Sequence, residues 1–347
     1  MNKTKSFALL LVSSLVLFGQ GCLGGGAPTD DGGMWLSTDS ATTWLQINKV
    51  PTAKGVVNLN QMNIYSLTQD PQDDEAVYAG TSSGYLYSYD GGISWDPAKD
   101  KRLQGVVTDI AVHPKEKCTV YVASGKSLLK TQDCSRTFEE MYVGDVEVLQ
   151  LEIDHYNPEI VWLGTAVGEI LRSDNNGTNW TTIERLGSKI VSMVVDPSDS
   201  RVIYVSTDTK GIYRTTDKGF HWEDIDEPSK ELLKGADHIV GVAQDKKGEN
   251  FYMAVRDNLY HSTDKGNTWS KLTLVTTERK TRIYSLAVDP NDGRKVYYGS
   301  ATTFYASDNI GNTWRTVDLP SIRAATALMI DAGNGNNYYL GVTKLEQ

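Results

Sequence analysis

Cationic charge, cysteine and long apolar runs are all scarce in this chain of 347 residues. Its 34 Lys and Arg face 44 Asp and Glu, a formal net charge of −10. That balance argues against general nucleic-acid binding, which needs cationic surface to displace counterions. Beyond the N-terminal region, no apolar stretch approaches the length of a membrane span. Only 3 cysteines occur, and neither a paired Cys-x-x-Cys nor a His-Glu-x-x-His is present. The histidines, His113, His155, His221, His238 and His261, are scattered, so neither a metal nor a cofactor is expected. Ser-Gly-Lys-Ser at 124–127 looks like the tail of a phosphate loop, but Val120 stands where that motif needs Gly.

What is present begins with an address. Lys3 and Lys5 precede an apolar run from Phe7 to Phe18, and Gly-Gln-Gly-Cys follows at 19–22. Positive start, short apolar core and small residues make a secretory signal. Cys22 directly after Gly21 resembles a bacterial lipobox, in which the Cys is lipidated. Residues 1–21 are therefore expected to be a lipoprotein-type signal peptide, with plain secretion as the alternative. Residues 22–33, rich in Gly, read as a flexible tether. The expected location is the bacterial cell envelope, lipid-anchored on the extracytoplasmic side. Cys118 and Cys134 remain as a pair, and in an exported protein a disulfide is the default.

One phrase dominates the rest. Ser-Tyr-Asp-Gly-Gly-Ile-Ser-Trp at 88–95 returns with variation at 37–44, 131–138, 173–180, 215–222, 262–269 and 307–314. The pattern is S/T-x-D/N-x-G-x-x-W. Its residues are Asp39 and Trp44; Asp90, Gly92 and Trp95; Asp133 and Phe138; Asn175, Gly177 and Trp180. They continue with Asp217, Gly219 and Trp222; Asp264, Gly266 and Trp269; Asn309, Gly311 and Trp314. The first and third copies lack the Gly. A spacing of this size signals a propeller or a solenoid.

Three further phrases travel with it. A β-branched, aromatic run such as Val-Trp-Leu-Gly-Thr at 161–165 precedes most copies and reads as a strand. Upstream lies another strand closed by an Asp-Pro turn, as at 190–197. The segment after each Trp supplies a fourth strand. Each repeat is then a four-stranded antiparallel meander, the unit of a propeller blade. The chain starts with half a repeat and stops with the other half, so its ends can share one blade. The expectation is an all-β, seven-bladed β-propeller over residues 34–347, closed by a composite blade from the N- and C-terminal strands. The recurring phrase falls on the turn between strands three and four. There the Asp accepts backbone N–H bonds, Gly allows positive φ, and Trp packs between blades.

This phrase resembles the Asp-box, or BNR, repeat of sialidases, sortilin-type receptors, xyloglucan hydrolases and the photosystem II stability/assembly factors. The grammar of strands and boxes is most similar to the assembly-factor group. That resemblance implies a non-catalytic, monomeric, protein-binding propeller serving a membrane protein or envelope complex. The alternatives are an exported glycoside hydrolase, sialidase-like, and a glycan-binding surface protein. A sialidase would usually carry Arg-Ile-Pro before its boxes, and that tripeptide is absent. A glycosidase needs two opposed carboxylates, which an acidic chain always leaves open.

In a propeller the boxes lie on one face, and the 4–1 and 2–3 loops lie on the other. Basic residues gather in the expected 4–1 connections: Lys99, Lys101 and Arg102; Arg279, Lys280 and Arg282; Arg315 and Arg323. They are the candidate docking set for an acidic partner segment. Ser66, Asp109, Gln150, Ser192, Gly241, Ser285 and Ala327 occupy the equivalent position of the innermost strands and should line the axial channel.

Overall fold

The computed structural model describes residues 31–225, 238–275 and 281–345. Residues 1–30 with Cys22, and the pair Arg279 and Lys280, lie outside the described residues. The described chain contains no α-helix and forms seven four-stranded antiparallel sheets plus one small hairpin. Six sheets are continuous in sequence, at residues 64–97, 107–143, 148–185, 190–224, 239–271 and 285–318. They are blades one to six.

Blade seven is composite. From rim to axis its strands are Leu45–Gln46, Gly33–Ser37, Tyr338–Thr343 and Ala324–Ile330. Gly33 lies opposite Val342 and Ser37 opposite Tyr338, so the two ends of the chain share one antiparallel ladder. Thr326 Oγ1 donates to the Ile64 carbonyl of blade one at 2.9 Å, and Thr343 Oγ1 to the same oxygen at 3.1 Å. The buried Asp31 carboxylate accepts the Ser321 hydroxyl at 3.1 Å and the Ile322 N–H at 2.6 Å. The first described residue thus pins the loop that leads into the last blade.

The second strands explain their own composition. Val161–Thr165 is buried at every position, because a neighbouring blade covers each face of its sheet. Strands covered on both faces read as continuous apolar runs rather than alternating ones. The core consists of clusters between blades, and each box aromatic packs against the blade before its own. Trp95 of blade one lies with Met34, Ile47 and Tyr339 of blade seven. Trp269 of blade five lies with Tyr204 of blade four, and Phe138 packs against Tyr78 and Tyr85 of blade one. Trp95 Nε1 donates to the Ile47 carbonyl at 2.8 Å, and Trp314 Nε1 to that of Thr273 at 3.0 Å.

The boxes demand two successive residues at positive φ, Gly91 and Gly92 in blade one. A Cβ on Gly92 would stand 3.0 Å from Ile47 Cδ1. Where the Gly is missing, Ala41 and Ser135 adopt positive φ themselves, at 62° and 64°. The Ser135 box also carries the disulfide joining Cys118 to Cys134, 16 residues apart in sequence.

Two outcomes follow for the closed wheel. In a Leu36→Cys, Tyr339→Cys double variant the new thiols face each other across the closing ladder. Air oxidation should give an intramolecular cross-link, seen by peptide mass mapping, and its absence would contradict the shared blade. Cys134→Ser should lower unfolding stability by about 3 kcal/mol, the entropy of a loop this size, measured by urea denaturation.

Candidate functional site: the axial channel and the loop face

The box acids can be assigned first. Ser88 Oγ accepts the Gly92 N–H at 2.9 Å and donates to Asp90 Oδ1 at 2.7 Å. Asp90 also accepts the Ser94 N–H at 2.9 Å and the Ser94 hydroxyl at 2.5 Å. The same pattern holds Asp39 with Thr43, Asp133 with Thr137 and Asp264 with Thr268. His221 serves as this partner for Asp217, while Asn175 and Asn309 accept the N–H groups of Asn179 and Thr313. Bonds to the ionised form favour it. The Thr43 N–H is the largest cause holding the Asp39 carboxyl down to about 2. Asp133 and Asp217 are held at about 2 chiefly by the Thr137 hydroxyl and the His221 side chain. Such saturated carboxylates fasten turns and have no proton to exchange near neutrality.

The innermost strands surround the channel. In five blades the ladder slips past the second residue of this strand, and in blade seven past the third, Thr326. The bulge re-aims that residue. Tyr65 therefore joins Ser66, Thr108 joins Asp109, and Val191 joins Ser192 on the channel wall. The seven residues expected from sequence to face the axis all line the loop-side mouth, a cavity of about 360 Å³. A middle chamber of about 440 Å³ and a box-side chamber of about 500 Å³ continue along the axis.

Two acids stand in the middle chamber. Asp109 of blade two accepts the Ser66 hydroxyl of blade one at 3.0 Å, its neighbour Ile110 N–H at 2.9 Å and the Leu151 N–H of blade three at 2.9 Å. Burial nevertheless pushes its carboxyl up to about 6. Glu152 of blade three accepts the Val195 N–H of blade four at 3.3 Å. Burial raises it to about 8, opposed by that bond and reinforced by the charges of Asp109 and Asp154. Together with Thr108, whose hydroxyl donates to the Val148 carbonyl at 2.7 Å, these groups stitch neighbouring blades along the axis. Among the described residues no group of three His, Cys, Asp or Glu side chains is placed to hold a metal.

A second set of acids escaped sequence reasoning. Where each innermost strand ends on the box face, Asp70, Asp154, Asp196, Asp245, Asp289 and Asp331 are buried, with His113 in the seventh place. Asp196 Oδ1 accepts the N–H groups of Ser198 and Asp199 at 2.8 and 3.1 Å. His113 Nδ1 accepts those of Lys115 and Glu116 at 3.2 and 2.8 Å, so a ring nitrogen replaces a carboxylate oxygen in the same turn. The Asp-Pro spelling marked the turn but not the burial of its first residue.

The basic candidates do not assemble as one patch. Arg102 pairs with Asp100 at 2.6 Å and also donates to the Phe138 carbonyl at 2.8 Å. Arg323, 10% exposed, stands 3.6 Å from the buried Asp31 and holds the N-terminal segment. Arg315 belongs to the opposite face. It opens the rim strand Arg315–Asp318 directly after the box, so it still lies at the box end and donates to the Ser40 carbonyl of blade seven. Lys99, Lys101 and Arg282 remain exposed on the loop side, Arg282 over the Tyr284 ring at 5.3 Å.

With this geometry in place, known proteins supply a comparison. The family described as sortilin, neurotensin receptor 3, matches residues 168–253. A xyloglucanase of Hypocrea jecorina is 25% identical over 123 residues, 34% of this chain and 15% of that enzyme. The solved GH74 xyloglucanase of Xanthomonas campestris superposes with a TM-score of 0.68 at 18% identity, covering 81% of this chain and 51% of that one. YCF48 from Cyanidioschyzon merolae superposes with a TM-score of 0.62 at 14% identity, covering 81% and 96%. A structure of YCF48 bound to D1 peptide matches equally well, at 0.62 and 14%, covering 81% and 94%. The chain is a seven-bladed Asp-box propeller. The matches to the xyloglucanases span at most about half of those chains, and at these identities the solved structures share the fold.

The channel acids make a pH signature. Glu152 titrates at about 8 when folded against 4.5 unfolded, so folding takes up a proton between those values. Its favourable contribution is complete below the lower value and disappears as pH rises through the upper. Asp109 acts in the same direction up to about 6. Glu152→Gln should therefore flatten the fall of melting temperature between pH 5 and 8.5, read by differential scanning fluorimetry. An unchanged slope would show that Glu152 is not raised.

Proposed function

We propose that this propeller is a non-catalytic binding platform for a protein partner in a bacterial envelope, a stability or assembly factor for a membrane complex. Cys22 lipidation would tether it through residues 22–30, since Asp31 and Gly33 are already built into blade seven. The observation that carries the reading is the loop face. Val106, Val143, Val167 and Ile322 are exposed at that end of the blades, where the polar channel mouth also opens. Exposed apolar side chains rimmed by polar groups suit protein contact. The channel acids support the same reading, because Asp109 already accepts bonds from three blades. YCF48, a photosystem II assembly factor, is a propeller solved with a bound peptide, which supports a peptide-holding role for a propeller of this shape.

A glycoside hydrolase is the second reading, favoured by the local match to a xyloglucanase. Its acids would be Asp109 and Glu152, whose raised values suit proton transfer.

Affinity capture from detergent-solubilised envelopes, with mass spectrometry, separates the two. The platform predicts a reproducible membrane-protein partner that a Lys99→Glu, Lys101→Glu, Arg282→Glu variant loses at least tenfold. It also predicts no reducing-sugar release from xyloglucan. Hydrolysis abolished by Glu152→Gln, with capture unaffected by charge reversal, would overturn it.

A further inference from the structure

The connection from blade seven to blade one contains a hairpin, with strands Lys49–Thr52 and Gly55–Asn58. It stands on the rim of blade one. Lys49 bridges Ser94 in parallel, and the Lys49 carbonyl accepts the Trp95 N–H at 2.9 Å. The hairpin is therefore a separate two-stranded sheet docked beside the blade-one rim, and Gly55–Asn58 is its outer strand.

That strand differs from the other rims. A free edge is ordinarily guarded by charge, proline or brevity. Glu139–Val143, Thr181–Arg185, Glu223–Asp224, Ser270–Lys271 and Arg315–Asp318 each carry charge. Asp96–Pro97 carries charge and proline, and Leu45–Gln46 is two residues long. Gly55–Asn58 has none of these guards. All four residues are exposed, Val56 at 67% and Val57 at 56%.

The register shows which backbone groups it offers. Pro51 lies opposite Val56 and has no N–H, so that pair exchanges no ladder bonds. Antiparallel ladders alternate, which leaves Val50 and Val57 bonded to each other and turns the N–H and C=O of Val56 and Asn58 outward. The outward Lys49 carbonyl, opposite Asn58, obeys the same alternation. Residues 40–69 contain no Asp or Glu and two lysines, Lys49 and Lys54, in a chain of net charge −10. Pairing with a second copy would set the lysines of the two hairpins against each other. An acidic partner strand complements them.

We propose that the Gly55–Asn58 edge is a strand-addition site for an extended, apolar partner segment flanked by carboxylates. This rests on the platform reading and names the rim of blade one, outside the loop face, as a place where a partner is held. Backbone bonds to Val56 and Asn58 would supply affinity, and the lysines would select for acid.

The test uses the full chain and a fluorescein-labelled nonapeptide, Asp-Glu-Val-Thr-Val-Thr-Val-Glu-Asp, read by fluorescence anisotropy. A twin with Lys in place of each acid is the charge control. Binding should be saturable at micromolar concentration and at least tenfold weaker for the Lys twin. Val56→Pro removes the outward N–H while leaving the Val50–Val57 bonds, and should abolish binding with circular dichroism unchanged. Lys49→Glu, Lys54→Glu, at exposed positions that folding does not need, should weaken it at least tenfold. No binding at millimolar peptide, or equal binding by Val56→Pro, would overturn the proposal. So would a dimer, seen by sedimentation, that Val56→Pro dissolves. Failure here with partner capture retained leaves the platform reading standing; loss of capture overturns that reading separately.

Discussion

A sheet that is apolar on both faces is stable only between two others. Every second strand in this protein has that character, so every blade needs a neighbour on each side. A row of such blades always leaves two bare faces, and a ring leaves none. The ring closes through the ladder between Gly33–Ser37 and Tyr338–Thr343. Blades one and six are covered because blade seven is assembled from both ends of the chain.

The Asp-boxes serve that packing. Each turns the chain sharply enough to bring its aromatic residue back over the preceding blade. The paired positive-φ residues make the turn, and the carboxylate locks it. This is a local task repeated around the wheel, which explains why acids that look catalytic in sequence are fully bonded in place. The blade-two box, with neither its Gly nor its Trp, carries the one disulfide among the described residues. There a covalent link accompanies the copy that departs furthest from the repeat pattern.

The channel obeys a different constraint. Seven innermost strands converge, their bulges point extra side chains inward, and the polar groups there must find partners without bulk water on every side. Asp109 and Glu152 answer by bonding to N–H groups of the next blade. Their upward shift is the cost of burial that those bonds only partly offset. The outer rim answers the opposite problem, exposed strand edges, with charge and brevity at every described blade, while the hairpin docked beside blade one lacks those guards.

Much of this was legible in the amino-acid order because propeller blades are built from local signals. The box spelling, the β-branched runs and the half-repeats at the two ends specify strand count, turn position and the shared blade through near-neighbour chemistry. Even the residues facing the axis could be read off by equivalence between repeats. Which charges stand free was decided by tertiary structure alone. Arg102, Arg315 and Arg323 carry the same charge as Lys99 and Arg282, yet a carbonyl or carboxylate distant in sequence engages each of them. The burial of Asp70 and its equivalents, the shift of Glu152 and the bare edge at Val56 have the same origin. Each depends on what another blade places within a few ångströms, and no local pattern in the chain encodes that distance.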